Sequence, residues 1–317
     1  MQGKLATVFG ASGFIGRNIV RELAARGCRI NAVCRDAEHA KFLKPMGSVG
    51  QVTPMRADVT DAAAVARAVA GADIVVNLVG ILYQSGRNTF DAVQSSAPGT
   101  IARAAAAAGA RAMVHVSAIG ADPDSRSAYA RSKAAGEAAV RAAFPAATIL
   151  RPSIVFGPDD AFFNRFAAMA LVMPVLPLFG GGRTRFQPVY VDDVAEAALV
   201  ALGRADAAGG TYELGGPSVY SFRQLLELMM EQIGRKRRLV SVPFWLASLE
   251  AAVLELLPVP PLTRDQVELL KRDNVVAPGA RTLADLGITA TSLEMILPVY
   301  MDKFRVGGRY STGRAPA

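Results

Sequence analysis

Between residues 5 and 150 the chain alternates two hydrophobic rhythms. Short apolar runs are spaced as strands: Leu5 to Phe9, Arg29 to Cys34, Val52 to Met55, Asp73 to Leu78, Ala112 to Ser117 and Thr148 to Leu150. Between them, Ile15 to Arg26, Ala37 to Leu43, Asp61 to Ala70, Phe90 to Ala108 and Ser127 to Ala143 carry apolar residues at helical spacing. Gly27, Gly71 and Gly109 stand where three of these helical segments stop. Strand followed by helix, repeated, builds right-handed crossovers and a parallel sheet covered on both faces. The expectation is an α/β protein with a doubly wound parallel sheet.

After Pro152 the rhythm loosens. Pro174, Pro177, Gly180, Gly181 and Gly182 interrupt a hydrophobic loop, while Pro188 to Val191 reads as one more strand of the sheet, followed by a helix to Ala201. From Thr211 onward shorter elements alternate with Pro258, Pro260 and Pro261. The expected organisation is a sheet domain over residues 1–210, whose 153–210 segment is shared with the lobe. A smaller mixed C-terminal lobe follows over 211–300, and 301–317 is expected as a mobile or docking tail. In doubly wound sheets ligands sit outside the carboxyl ends of the strands.

Composition narrows the partners. The chain has 317 residues, 51% hydrophobic, and a net charge of +8, a balance that favours anionic partners. There is no helix-turn-helix or zinc-finger spacing, and the single tryptophan, Trp245, makes no stacking platform, so nucleic acid is not expected. Cys28 and Cys34 have no His or Cys partner at zinc-site spacing and form no disulfide framework, so no metal site is expected and a reducing, cytoplasmic setting fits. The run Leu5 to Phe9 is too short for a signal peptide, and no stretch has the roughly 18 uninterrupted apolar residues of a membrane span.

The chemistry begins at the first strand. Gly10, Gly13 and Gly16 recur between that strand and the next helix, in the run Gly10-Ala11-Ser12-Gly13-Phe14-Ile15-Gly16. Such spacing suits a tight turn, close approach of a pyrophosphate to backbone, and a helix pressed onto its strand, so this is a Rossmann-type dinucleotide loop. The second strand ends at Cys34-Arg35-Asp36. A guanidinium at Arg35 pairs with a 2′-phosphate, so NADP(H) is expected over NAD(H), which Asp36 keeps open. Asp58 is placed to reach the adenine amino group, Val59 to line its ring, and Asn77 and Gly80 to close the fourth strand near the ribose.

A second group follows the fifth strand. Tyr129 and Lys133 lie four apart on one helix face, and Ser117 ends the strand before it. The expectation from this pattern is that Lys133 would lower the phenol pKa and hold the nicotinamide ribose, Tyr129 would act as general acid or base, and Ser117 would hold a substrate oxygen. Holding the ribose without turnover fits the same residues. His115 lies in a strand pattern and is expected as a packed core residue.

The glycine loop, Asp58, Ser117, Tyr129 and Lys133 together resemble an extended or atypical short-chain dehydrogenase/reductase, the superfamily of NAD-dependent epimerases and dehydratases. The run from Arg151 to Pro158 resembles that superfamily's segment against the nicotinamide, which implies Pro152 and Ile154 as cofactor contacts, and Pro188 to Val194 resembles its signature near the substrate lobe. Two further runs, Phe156 to Phe166 and Leu262 to Val276, resemble the accessory subunit of respiratory complex I (NADH:ubiquinone oxidoreductase) and its bacterial and ubiquinone-related relatives. That resemblance implies bound NADPH, a role in assembly or stability, complex I or quinone-related proteins as partners, and a peripheral place on the inner membrane. The retained Ser117, Tyr129 and Lys133 leave open an active reductase or epimerase for a small carbonyl or nucleotide sugar, and a sensor of the NADPH/NADP⁺ ratio.

One basic run stands outside this frame. Arg235, Lys236, Arg237 and Arg238 precede the apolar stretch Val242 to Leu257, which contains Trp245. The pair of features could touch an anionic lipid surface, but the preferred reading is a solvated turn before an ordinary core helix of the small lobe, since the segment is short and carries Glu250 and Glu255.

Overall fold

The computed structural model describes residues 1–305 and residue 307. The chain enters with β1 (Leu5–Phe9), α1 (Phe14–Ala25), β2 (Arg29–Cys34), β3 (Val52–Arg56), α2 (Ala62–Val69) and β4 (Ile74–Asn77). It continues with α3 (Ala97–Ala107), β5 (Ala112–Val116), α4 (Ala128–Ala143), β6 (Thr148–Pro152), β7 (Val155–Phe156), α5 (Phe163–Val172), β8 (Val175–Phe179) and β9 (Arg185–Phe186). Then come β10 (Val189–Tyr190), α6 (Val191–Gly203), β11 (Thr211–Leu214), β12 (Tyr220–Ser221) and α7 (Phe222–Gln232). The last elements are β13 (Arg238–Val242), α8 (Phe244–Leu254), α9 (Arg264–Leu269) and α10 (Leu293–Met301).

Seven strands form one parallel sheet in the order β11-β6-β5-β4-β1-β2-β3. The order reverses between β1 and β4, which opens a crevice at their carboxyl ends. Central strands covered on both faces carry continuous apolar runs, and Ala6, Val8, Phe9, Ile74, Val75 and Val76 are all buried. Asp61 starts α2 by accepting from the N–H groups of Ala63 and Ala64, and Ser127 starts α4 by accepting from Ala130 N–H. Arg151 of β6 grips Glu137 of α4 bidentately, at 2.9 and 2.7 Å, and reaches Glu213 of β11 at 3.5 Å, so one guanidinium holds a helix and an edge strand to β6.

Several elements differ from the sequence expectation. The Phe90 to Ala108 helix opens as a π-helical turn over Asp91–Ser96 before α3. Residues His39–Met46 form a 3₁₀ helix, headed by Asp36 and containing Pro45, which lacks an N–H for an α-helical ladder. The strand at Pro188 to Val191 does not join the central sheet, because β10 pairs with β7. The seventh sheet strand is instead β11, assigned from sequence to the start of the lobe. It is only four residues long and contains Glu213, so its pattern carries no clear strand signal.

The chain separates into two units at other places than residue 210. The first comprises Met1–Pro152, Val191–Leu214 and Val276–Thr289, and the second Ser153–Tyr190, Gly215–Val275 and the chain from Ala290. Within the second unit β10 and β13 pair in parallel with β7 and β8, β12 pairs antiparallel with β9, and its core gathers Phe156, Phe163, Phe186 and Phe222. The expected mobile tail does not begin at 301: Met301 is buried in that core and Asp302–Phe304 continue as a 3₁₀ turn. Residues 306 and 308–317 lie outside the described residues.

Helix α4 lies close to its neighbours because small residues face them. A Cβ on Gly136 would sit 2.1 Å from the Gln94 carbonyl oxygen inside the π-helical turn. Gly136→Ala should therefore destabilise the fold by about 1–3 kcal/mol despite alanine's better helix propensity. Urea unfolding measures this, and unchanged stability would mean that α4 can draw back from Gln94.

Candidate functional site

The loop after β1 is shaped by missing side chains. Gly10 has φ +79°, and its N–H and that of Ala11 donate to the Val33 carbonyl of β2 at 3.1 and 3.3 Å. Gly13 precedes α1 in an extended conformation and donates to the Gly10 carbonyl at 3.0 Å. It offers no side-chain acceptor, so the first N–H groups of α1, at Phe14 and Ile15, are left for an anion. A Cβ on Gly16 would lie 2.2 Å from the Gly10 oxygen, so only glycine lets α1 come down onto the loop. Ser12 is half-buried beside them.

At the ends of β2 and β3 the charges sort themselves. Asp36 Oδ1 accepts from the N–H groups of His39 and Glu38, both at 3.0 Å, and these bonds hold its carboxyl below the usual range. Asp58 Oδ1 accepts from the N–H and hydroxyl of Thr60, at 2.9 and 2.8 Å, with the same effect on its carboxyl. Arg35 and Arg56 are exposed, and neither forms an ion pair among the described residues. Strand register sets Arg56 beside Cys34, next to Arg35. Arg56 was not singled out from sequence. The signal was there, since it ends the β3 pattern where β2 ends. Val59 is half-buried against the apolar cluster that contains Phe9 and Val33.

The crevice continues along β4 and β5. Asn77 is buried; its Oδ1 accepts from Val79 N–H at 3.1 Å and its Nδ2 faces His115 Nδ1 at 3.1 Å. The amide thus fixes the turn leading to Gly80 and gives His115 a partner inside the core. Burial pushes His115 down to about 3, which keeps its ring neutral. A Cβ on Gly80 would come within 3.2 Å of Lys133 Nζ, so the turn passes directly over the lysine. Gln94, also missed from sequence, accepts from Ile81 N–H at 2.8 Å and donates to Ser132 at 2.9 Å, tying that turn to α4. It was hidden because it occupies a position on the apolar line Phe90, Gln94, Ala97, Ile101.

Lys133 is buried, with its ammonium 3.4 Å from the Val116 carbonyl and 5.8 Å from the centre of the Tyr129 ring. Phe90 packs edge-on against that ring at 6.0 Å. Ser117 follows β5 with its N–H donating to the Leu150 carbonyl, and its buried hydroxyl has no partner among the described residues. A buried ammonium with one long hydrogen bond and an orphaned hydroxyl are groups that hydroxyls of a ribose and an oxygen of a substrate would satisfy. Glycine loop, Asn77, Gly80, Ser117, Tyr129 and Lys133 thus line the carboxyl ends of β1, β4 and β5. Pro152, at the end of β6, accepts from Ile119 N–H at 3.0 Å.

Ile154 belongs to the second unit, where Asn274 Oδ1 accepts from its N–H at 3.0 Å and from the Ser153 hydroxyl at 2.7 Å. The two runs singled out between Phe156 and Val276 are locks of that unit. Asp160 caps α5 through the Phe163 and Asn164 N–H groups and accepts from the Tyr300 hydroxyl at 2.6 Å. Asp273 pairs with Arg185 at 2.7 Å.

Burial pushes Lys133 down to about 8 from its ordinary 10.5. Between those values the unfolded chain holds the proton and the folded chain does not, so stability gains as pH rises. Without nucleotide, the stability difference between the native protein and Lys133→Met should move by roughly 3 kcal/mol in favour of the native protein as pH rises across that window. Denaturant unfolding at a series of pH values measures this, and a constant difference would remove the burial assignment.

The chain is similar to proteins already known. Residues 6–215 match the NAD dependent epimerase/dehydratase family. The mitochondrial NADH dehydrogenase [ubiquinone] 1 alpha subcomplex subunit 9 of Arabidopsis thaliana is 36% identical over 97% of this chain and 80% of its own length. A ceramide reductase of Caulobacter vibrioides is 33% identical over 75% of this chain and 74% of its own length. Among solved structures, UDP-glucose 4-epimerase of Thermus thermophilus in complex with NAD superposes with a TM-score of 0.69 at 21% identity, over 95% of this chain and 98% of its own, a likeness of fold. With the glycine loop, the seven-stranded sheet and this match in agreement, the chain belongs to the NAD dependent epimerase/dehydratase family, the extended short-chain dehydrogenases/reductases.

Proposed function

We propose that the first unit binds NADP(H), and that the protein is an accessory subunit or an assembly and stability factor of an NADH:ubiquinone oxidoreductase. For the cofactor, one observation carries the reading. Asp36 already accepts from the backbone of Glu38 and His39 through Oδ1, and Arg35 and Arg56, at the ends of the paired strands β2 and β3, form no ion pair among the described residues. Two exposed guanidiniums outside any ion pair, beside a carboxylate already engaged with the backbone, favour a 2′-phosphate. For the role, the support is a likeness to complex I subunits that runs through both units, at 36% identity over 97% of the chain. Among the described residues no helix is long and apolar enough to cross a membrane, which fits a peripheral partner of a membrane complex.

A second reading is an NADPH-dependent reductase. The orphaned Ser117 hydroxyl, with Tyr129 and Lys133 beside it, favours it, as does the likeness to a ceramide reductase. In that case bound NADPH would supply the hydride to the carbonyl carbon, Ser117 would hold the carbonyl oxygen, Tyr129 would donate the proton to it, and Lys133 would keep the ribose in place.

Arg35→Gln and Arg56→Gln should each weaken NADPH binding by about ten- to a hundredfold and leave NADH binding unchanged. Titration calorimetry reads this, and equal losses for both nucleotides would refute the 2′-phosphate assignment. In gently solubilised membranes the protein should co-migrate with NADH:ubiquinone oxidoreductase; its absence from that complex at native expression would refute the accessory role. NADPH oxidation with carbonyl or quinone substrates, lost in Tyr129→Phe while nucleotide binding persists, would establish the second reading.

A further inference from the structure

Two surface features of the second unit share one chemistry. The first is an apolar ridge. Helix α8 buries Ala247 and Ala251 on its inner side, while Trp245, Leu249 and Val253, four residues apart, project outward at 70%, 60% and 62% exposure. The turn beyond continues the ridge with Leu256, 84% exposed. Contiguous apolar surface of this kind marks an interaction site.

The second feature is cationic. Arg235, Lys236, Arg237 and Arg238 run into β13, and among the described residues none of them meets a carboxylate. Arg237 Nε donates to the Ala170 carbonyl of α5 at 2.8 Å, which anchors the run, while Lys236 and Arg238 are exposed. Register sets Arg238 beside Val175, and Val172 just before it is exposed too, so cations and apolar side chains meet along one edge.

We propose that the second unit docks on an anionic bilayer through the α8 ridge and the cationic edge at β13. The ridge enters the boundary between headgroups and acyl chains, with the indole of Trp245 at the level where amphipathic rings settle, and Lys236 and Arg238 pair with lipid phosphates. A protein partner is the poorer occupant. Specific protein interfaces carry about one hydrogen bond per 100–200 Å², and this ridge offers almost no directional polar groups. The Ser248 hydroxyl is spent on the Phe244 carbonyl and Glu255 on Arg264, which leaves Glu250 at the flank.

Trp245 is the chain's only tryptophan, so its emission reports directly on the ridge. The full-length protein is mixed with vesicles of phosphatidylcholine alone and of phosphatidylcholine with phosphatidylglycerol. With the anionic vesicles the emission should shift to shorter wavelength and the protein should sediment with the lipid; with phosphatidylcholine alone, neither should occur. Lys236→Gln combined with Arg238→Gln should lower the vesicle partition coefficient about thirtyfold. Leu249→Glu should abolish the shift, with circular dichroism and NADPH binding unchanged. If Leu249→Glu fails to fold, the Lys236/Arg238 variant decides alone. Unshifted emission, equal binding to both lipids, or a shift that grows with protein concentration in the absence of lipid, which would mark a second copy as the occupant, each overturns the proposal.

Discussion

The first unit depends on a contact that no side chain could survive. Helix α1 lies so close to the loop after β1 that a single carbon on Gly16 would collide with the Gly10 carbonyl. That approach brings the start of the helix over the end of its strand and aims unpaired N–H groups into the crevice between β1 and β4. It also seats α1 against α6, where Arg21 reaches Asp192 and Arg26 reaches Glu196. Sheet, anion pocket and outer helix layer are therefore fixed at one point.

The other half of the site is built on an opposing principle. Instead of removing atoms, the fold buries polar ones and satisfies them only in part. Asn77 and Gln94 each spend an oxygen on the backbone of the Leu78 to Ile81 turn, which holds that turn above Lys133. The lysine and Ser117 keep donors and acceptors for something else. A protein that only needed stability would replace such a cluster by apolar side chains at no loss.

Legibility from sequence followed the strength of local signals. The first six strands and the glycine loop announce themselves because period and turn chemistry coincide there, as at Leu5 to Gly16. Helix α4 is visible for the same reason, so Tyr129 and Lys133 fall correctly on one face. What escaped depends on pairing across the sheet or between helices. Arg56 becomes interesting only when register sets it beside Cys34. Gln94 reads as one polar interruption of an apolar line, and β11 is too short and too charged to declare its place at the sheet edge. The run around Asn274, prominent as a motif, proved to organise the second unit's own backbone, since one amide there holds Ser153 and Ile154.

The interleaved course of the chain has a consequence for how the protein is made. Strand β6 is complete at Pro152, but the strand that covers its free edge, β11, ends only at Leu214, and the last piece of the same unit ends at Thr289. A ribosome adds about 5–20 residues per second, so β6 waits for several seconds with one edge unpaired while the intervening segment is still being threaded out. Of the two carboxylates that Arg151 meets in the folded protein, Glu137 is made before β6 and Glu213 only afterwards. The nascent chain thus carries its dinucleotide loop early and its sheet edge late, and that open edge is where a chaperone, or a second nascent copy, would find it.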